Sequence, residues 1–360
     1  MLLAIGFLSD VLSDKNKHFL YFRFMILVTG GTGLVGSHLL YQLSLENDVI
    51  KAIHRKNSDL LAVKNVFSYF SLDYEFLFQK IEWVEADITD IISLEEAFKN
   101  VMEVYHSAAL VSFDSKDYRA MDEINIEGTS NIVNFCISNK IKKLCFVSSV
   151  ATIEKSVTGK MMDETDEWNM EKVGYGYAMT KYGAEMEIWR GAQEGVPVVI
   201  VNPGIILGAG FWHQGSGALF SKIEKGFSFY SEGVMGFISV NDVVKAMLLL
   251  MKSDIVNQRY ILVAENSSFK NIFDQIAQNF GKKPPSVKVT KLMSAIGWRL
   301  EKLKSVFTNA PAMLTKHAAK SIHDKRYYSS EKIKTDLNFN FESIPETIKS
   351  VCAIYKKEIG

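Results

Sequence analysis

The sequence predicts an α/β fold built on a doubly wound parallel sheet, with a smaller, mostly helical lobe in the C-terminal part. From Met25 to Pro203, short apolar runs rich in β-branched residues alternate with segments of helical spacing, a pattern typical of βαβ units. A glycine-rich turn separates the first run from the first helix, and the alternation ends after Pro203. These observations indicate a sheet of the Rossmann type, whose ligands bind at the carboxyl ends of the strands.

The expected elements follow from this pattern in order. The run MILVTG is short, apolar and bounded by glycine, as in a strand that is buried on both faces. The residues after it place leucine and valine on one helical face, and the alternation then repeats. We expect strands at 25–30, 49–54, 82–84, 101–106, 143–149 and 196–203, and helical segments at 33–45, 94–98, 124–139 and 177–193. Beyond these, the run RYILVA at 259–264 is the clearest strand candidate.

The first 24 residues are expected to be an N-terminal extension outside the fold. They begin apolar without the basic residues that open a signal peptide, and Asp10 interrupts the apolar stretch. Such a stretch is too short to span a bilayer. A complete first strand begins only at Met25.

Composition excludes several classes of protein. The chain has 360 residues, of which 48% are apolar and 23% are charged, so it is neither disordered nor collagen-like. Lys and Arg total 41, as do Asp and Glu; the absence of a basic excess argues against a nucleic-acid partner. The three cysteines form no CxxC pair, so we expect no disulfide framework, no metal site and a reducing cytoplasm.

The glycine-rich turn TGGTGLVG carries the first candidate site. Gly31, Gly33 and Gly36 match G-x-G-x-x-G between a strand and a helix. In that context, glycines let backbone N–H groups approach the pyrophosphate of a dinucleotide; a tight turn without a ligand is the alternative. The candidate cofactor-binding residues here are Gly30, Thr32, Gly33, Leu34, Val35 and Gly36.

The end of the second strand indicates which dinucleotide binds. NAD sites place Asp or Glu there, whereas NADP sites have arginine near the 2′-phosphate. Here Arg55 and Lys56 follow His54, and no carboxylate occurs before Asp59. The sequence therefore favours NADP, with NAD as the alternative if both cations are only solvated.

Tyr177 and Lys181 form the second candidate site. They lie one helical turn apart, so both side chains share a face. The same spacing occurs at Tyr328 and Lys332, but only Tyr177 follows a strand that ends in two serines, Ser148 and Ser149. We interpret the second pair as a chance match.

With these motifs in their order, the sequence resembles an extended short-chain dehydrogenase/reductase of the NAD-dependent epimerase/dehydratase superfamily. The resemblance runs from Met25 to about Tyr355. It rests on TGGTGLVG, ADI, HSAALVS, NIEGTSN, FVSSVA, YAMTK and NPGIILG. It implies that Ser149, Tyr177 and Lys181 are catalytic, with Ser148 as the alternate serine. The further cofactor contacts that it implies are Asp87 and Ile88 at the adenine, Ala108 and Ala109 at the ribose and phosphates, Asn125, and Pro203 and Ile205 at the nicotinamide.

The resemblance also narrows the activity. Dehydratases of this superfamily place acidic residues directly after the active-site serine or threonine, whereas Val150, Ala151 and Thr152 stand here. The chain is more similar to the dihydroflavonol-reductase and 3β-hydroxysteroid-dehydrogenase branches than to classical sugar dehydratases. That implies interconversion of a secondary alcohol and a ketone with NAD(P). A nucleotide-sugar epimerase with retained NAD and a non-catalytic NADP-binding sensor are the alternatives.

The domain organisation is expected to change where the alternation ends, after Pro203. We expect residues 25–203, with 237–264 returning to them, to form the NAD(P)-binding domain, and residues 204–236 and 265–360 to form the substrate-binding lobe. The expected partner is a small carbonyl, alcohol or nucleotide-sugar substrate; a homodimer stays open, and any membrane contact is peripheral, through the amphipathic 291–307 segment. His213 is an open candidate for facing substrate. We expect the acidic run at 161–177 to be a solvated loop.

Overall fold

The computed structural model describes residues 25–154, 161–166, 168, 176–308 and 315–360. Its centre is a seven-stranded parallel sheet with the order β10-β6-β5-β4-β1-β2-β3. This arrangement confirms the predicted fold class. The expectation for residues 1–24 lies outside the described residues, and the domain boundaries stay a prediction.

Strands of the described part fall into the central sheet, a three-stranded sheet (β11-β9-β7) and a two-stranded sheet (β12-β8). They are β1 (Met25–Thr29), β2 (Ile50–His54), β3 (Ile81–Glu85), β4 (Val101–His106), β5 (Lys143–Val147), β6 (Val198–Pro203), β7 (Ile205–Leu207), β8 (Phe229–Tyr230), β9 (Val234–Ser239), β10 (Gln258–Leu262), β11 (Glu265–Ser268) and β12 (Val287–Lys288).

Helices cover both faces of the central sheet and make up most of the C-terminal lobe. They are α1 (Leu34–Glu46), α2 (Leu60–Ser68), α3 (Tyr74–Gln79), α4 (Ile91–Ala97), α5 (Tyr118–Asp122), a π-helix (Glu123–Glu127), α6 (Gly128–Ser138), α7 (Gly176–Gln193), α8 (Gly215–Glu224), α9 (Val240–Lys252), α10 (Phe269–Phe280), α11 (Lys291–Thr308), α12 (Lys316–Ser321), α13 (Glu331–Leu337) and α14 (Ile344–Ile359).

Alternation along the strands divides the core between the two sheet faces. Cys145 and Val147 of β5 pack with α1, α2 and α9, whereas Leu144 and Phe146 pack with α4, α6 and α7 on the other face. Because both faces are covered, every residue of the inner strands β5 and β6 is buried. The three cysteines are free and buried.

The structure differs from the predicted elements in three places. Two helices, α2 and α3, fill the connection between β2 and β3, where no element was expected. The single helix expected at 124–139 is instead a π-helix followed by α6. The C-terminal part also contains short strands, because β7, β9 and β11 pair with one another although each is too short to show a clear period.

In the described residues, no helix combines the length and apolar character that crossing a membrane requires. On α11, Leu292, Ile296 and Leu300 are exposed and lie one turn apart, on one face. The sequence leaves a peripheral membrane contact of this segment open as the less favoured alternative to packing on the domain, and this alternative stays a prediction.

Candidate active site

The glycine-rich turn joins β1 to α1 at the carboxyl edge of the sheet. Gly30 has φ +71°, and a Cβ at this position would lie 2.5 Å from the backbone N of Ala108. A Cβ on Gly36 would lie 2.1 Å from the carbonyl oxygen of Gly30. Both positions therefore require glycine. No side chain caps the N-terminus of α1, so its first N–H groups lie ready for an anion.

A cleft of about 880 Å³ opens in front of this turn. It runs from the end of β2, with Arg55 and Ser58, to the segment around Phe211 and His213 that leads into α8. Most of the predicted cofactor residues line it, namely Gly30, Thr32, Gly33, Leu34, Arg55, Asp87, Ile88, Ala108 and Ala109. Lys56 is exposed and is not among the lining residues.

The remaining predicted cofactor residues lie beside or behind this cleft. Val35 packs against the core on the α1 side of the sheet. Pro203 is the last residue of β6 and Ile205 is the first residue of β7. Asn125, Tyr177 and Lys181 belong to a hydrogen-bonded region behind the cleft wall.

Asn125 connects the cleft wall to the helix that carries Tyr177. It is 1% exposed, and its Oδ1 accepts a hydrogen bond of 2.7 Å from the backbone N–H of Leu110. Its Nδ2 donates to the carbonyl of Leu110 and to Oγ1 of Thr180. Thr180 in turn donates to the carbonyl of Tyr177. Asn125 lies in the π-helix, a distortion often found at functional sites.

Ser149 and Tyr177 form the polar pair of the site. Ser149 caps the 3₁₀ turn Val150–Thr152, accepting from the N–H of Ala151. Burial raises the pKa of the Tyr177 phenol, and a hydrogen bond with Ser149 opposes that shift. Ser148 instead turns inward and donates to the carboxylate of Glu185 at 2.6 Å. The geometry therefore favours Ser149 over Ser148 as the serine that faces the phenol.

Lys181 lies one turn after Tyr177 and is 2% exposed. Its Nζ donates to the carbonyl of Val147 at 2.7 Å and lies 4.3 Å from the ring centroid of Phe146. Burial lowers the pKa of Lys181 to about 7, while the charge of Glu185 acts in the opposite direction. An ammonium with such a pKa changes its charge near neutral pH.

That lowered pKa has a measurable effect on stability. Between about pH 7 and pH 10.5 the unfolded chain binds a proton at Lys181 that the folded chain does not bind, so folded-state stability rises with pH in this window. We expect the wild type to gain stability between about pH 7 and 9, relative to Lys181→Met, in chemical unfolding. A parallel pH dependence for both proteins would contradict the lowered pKa.

His106 ends β4 and is completely buried. Thr129 donates its hydroxyl proton to the carbonyl of Asn125, so His106 Nε2 donates to Thr129 Oγ1, and Nδ1 accepts from Thr29. Burial lowers the pKa of His106 to about 3. The ring is therefore neutral and connects β1 to α6.

Sequence reasoning missed the buried carboxylate of Glu185 and its partner Arg259. Glu185 is 0% exposed, and Arg259 Nη1 lies 3.2 Å from its Oε1. A glutamate one turn after Lys181 was the available signal. The run at 161–177 is expected from the sequence to be a solvated loop. In its described part, however, the Glu164 carboxylate is not solvated only, because it accepts a hydrogen bond from the N–H of Ile261.

The cleft fits a nicotinamide dinucleotide. The uncapped helix N-terminus and the two obligatory glycines suit a pyrophosphate, and Arg55 at the end of β2 suits a ribose phosphate.

Comparison with known proteins agrees with this geometry. Residues 28–265 match the model of an NAD-binding family described as "Male sterility protein". A putative dihydroflavonol 4-reductase of Synechocystis sp. is 27% identical over 92% of this chain and 94% of its own length. Anthocyanidin reductase of Arabidopsis thaliana is 26% identical over 71% of this chain and 80% of its own.

Solved structures show the same fold. A UDP-glucose 4-epimerase from Thermotoga maritima superposes with a TM-score of 0.74 at 20% identity, covering 94% of this chain and 100% of the epimerase. The central sheet and the C-terminal lobe thus form an arrangement that these proteins share.

Proposed function

The chain belongs to the extended short-chain dehydrogenases/reductases, within the family described as male sterility protein, and we propose that it reduces a ketone to a secondary alcohol with NADPH. It is an enzyme, either an NAD(P)-dependent oxidoreductase or an epimerase. Within that range, the observation that carries the proposal is the arrangement of half-buried Ser149 and Tyr177 with buried Lys181, beside a dinucleotide cleft that ends at Arg55.

Tyr177 is the proposed proton donor. Its phenol is half-buried and hydrogen-bonded to Ser149. A carbonyl oxygen that replaces this hydrogen bond can accept from both hydroxyl groups. A free tyrosine has a pKa of about 10, and a positive charge one turn away stabilises the phenolate that forms when the proton leaves. Lys181 supplies that charge. A nicotinamide cofactor, when bound, supplies the hydride.

Ser149 positions the carbonyl oxygen, and Asn125 holds the wall against which the substrate lies. Asn125 makes both backbone hydrogen bonds of Leu110, and the cleft continues along Val111 and Phe113. Phe113 lies 6.1 Å from the Tyr177 ring, centroid to centroid. Apolar side chains next to the phenol suit a ketone with an apolar body.

The reductase proposal is preferred to an epimerase because of the end of β2. Arg55 lines the cleft with no carboxylate beside it in the sequence, and this suits the 2′-phosphate of NADPH, a cofactor that is exchanged at each turnover. An epimerase retains its cofactor and needs no such selectivity.

A panel of ketones tests the proposal. We expect stoichiometric oxidation of added NADPH with at least one aromatic or alicyclic ketone, including a dihydroflavonol, followed by nicotinamide absorbance. Purification with bound NAD and interconversion of UDP-sugars without net cofactor turnover would favour the epimerase instead. Tight NADPH binding without turnover of either class would favour the sensor.

A further inference from the structure

A buried ionic network lies directly behind the proposed catalytic residues. At its centre is Glu185, one turn after Lys181 on α7 and fully buried. A buried carboxylate is costly unless hydrogen bonds and an opposite charge compensate it. The partners of Glu185 therefore show what this carboxylate holds together.

One carboxylate oxygen, Oε2, accepts three hydrogen bonds. They come from Ser148 at 2.6 Å, Thr152 at 3.1 Å and Asn202 at 3.0 Å. Ser148 precedes Ser149 in the chain, and Thr152 ends the 3₁₀ turn that Ser149 caps. The turn that presents Ser149 is thus attached on both sides to the helix that presents Tyr177.

The other oxygen, Oε1, forms an ion pair with Arg259 of β10 at 3.2 Å. The remaining donors of Arg259 reach the carbonyls of Glu164 and Asp166, while the Glu164 carboxylate binds the β10 backbone at Ile261. Arg259 therefore connects the carboxylate to the edge strand and to the segment that precedes α7.

From this geometry we propose that Glu185 and Arg259 are positioning residues, which hold Ser149, Tyr177 and Lys181 in their reactive arrangement. The proposal rests on the proposed function, because it assumes that these three residues carry the reaction. Neither Glu185 nor Arg259 touches substrate. They act through the turn of Ser149 and through the charge that Glu185 places one helical turn from Lys181.

The titratable and charged groups near Lys181 come from three elements, α7, β4 and β10. Glu185 belongs to α7, as Lys181 itself does, and raises the pKa of Lys181; His106 of β4 is neutral because burial lowers its own pKa to about 3. Tyr177 of α7 is a phenol with a raised pKa. The nearest compensating cation is Arg259 of β10. Removing the charge of Glu185 therefore lowers the pKa of Lys181.

Glu185→Gln tests the proposal, with Glu187→Gln as a matched control. Glu187 lies on the same helix and forms a peripheral ion pair with Arg190. Using NADPH and the ketone that the wild type reduces fastest, we expect Glu185→Gln to lower kcat by about tenfold to hundredfold, as small misplacements of catalytic groups do. KM is expected to change little, and Glu187→Gln to match the wild type.

A second readout needs neither cofactor nor substrate. The quantity measured is the free energy of unfolding of a protein minus that of its Lys181→Met variant. It begins to rise with pH near the pKa of Lys181, about pH 7 in the wild type. In the Glu185→Gln background we expect this onset at a lower pH. An unchanged kcat together with an unchanged onset would overturn the positioning role.

Two further variants keep the test decisive. If Glu185→Gln does not fold, Thr152→Val removes one donor from Oε2 and is expected to lower kcat in the same direction by a smaller factor; an unchanged kcat would overturn the proposal. Tyr177→Phe distinguishes failure of the proposed function from failure of the positioning role. Full activity of Tyr177→Phe would refute the proposed function, whereas an inactive Tyr177→Phe beside a fully active Glu185→Gln would refute only the positioning role.

Discussion

Tyr177→Phe is expected to lower kcat by about 10²–10⁴-fold, the usual contribution of a general acid. The substitution removes the phenolic hydroxyl that hydrogen-bonds Ser149 but keeps the ring that packs near Phe113. The affinity for NADPH should therefore stay nearly intact. Steady-state kinetics with a ketone that the wild type reduces, together with calorimetric titration of NADPH, measures both quantities.

Tyr328→Phe is the matched control. The sequence contains the same spacing at Tyr328 and Lys332, but the structure places Tyr328 in an isolated bridge with Met162 and Lys332 in α13, so the two do not share a helix. Tyr328 belongs to a small apolar cluster with Val150. We expect unchanged turnover. Activity of Tyr177→Phe within a few-fold of the wild type would remove Tyr177 from the mechanism.

Arg55→Ala is expected to weaken NADPH binding by about tenfold to a hundredfold and to leave NADH binding nearly unchanged. A charge-assisted hydrogen bond contributes about 1.5–3 kcal/mol, and about 1.4 kcal/mol corresponds to a factor of ten in affinity. Arg55 lines the cleft next to Ser58, whose hydroxyl accepts from the Arg55 backbone N–H. Calorimetric titration of both cofactors measures the two affinities.

Lys56→Ala is the matched control for Arg55. Lys56 follows Arg55 directly and both are exposed, but Lys56 lies outside the cleft lining, so the loss of NADPH affinity should be smaller. Equal or tighter binding of NADH by the wild type would show that Arg55 is only a solvated cation. The epimerase alternative would then become the better interpretation.

The parts of the site that could be predicted are those carried by short, local patterns. The turn around Gly30 and Gly36 is one, because the tight turn excludes a Cβ at both positions. The spacing of Tyr177 and Lys181 is another, because one helical turn places both on one face. Each depends on a few consecutive residues, so the sequence alone shows it.

Other parts depend on residues that are far apart in the chain. The sequence favours Ser149 over Ser148 only through the family resemblance, and the contact between Ser148 and Glu185 adds a spatial reason for the same choice. Arg259 lies 74 residues after Glu185, and no periodic pattern links the two. The π-helix around Asn125 was also missed, because a one-residue expansion of a helix leaves little trace in the apolar spacing.

The position of β10 has a consequence for the order in which the protein is assembled. β10 pairs in parallel with β6, yet the chain passes through β7, α8, β8, β9 and α9 between them. Until β10 is synthesised and docked, Glu185 has no arginine to neutralise it, and an uncompensated buried carboxylate is strongly destabilising. A nascent chain that ends before residue 258 therefore lacks the cation that compensates the burial of Glu185. The pairing of β10 with β6 is also a long-range contact, and such non-local pairing is slow.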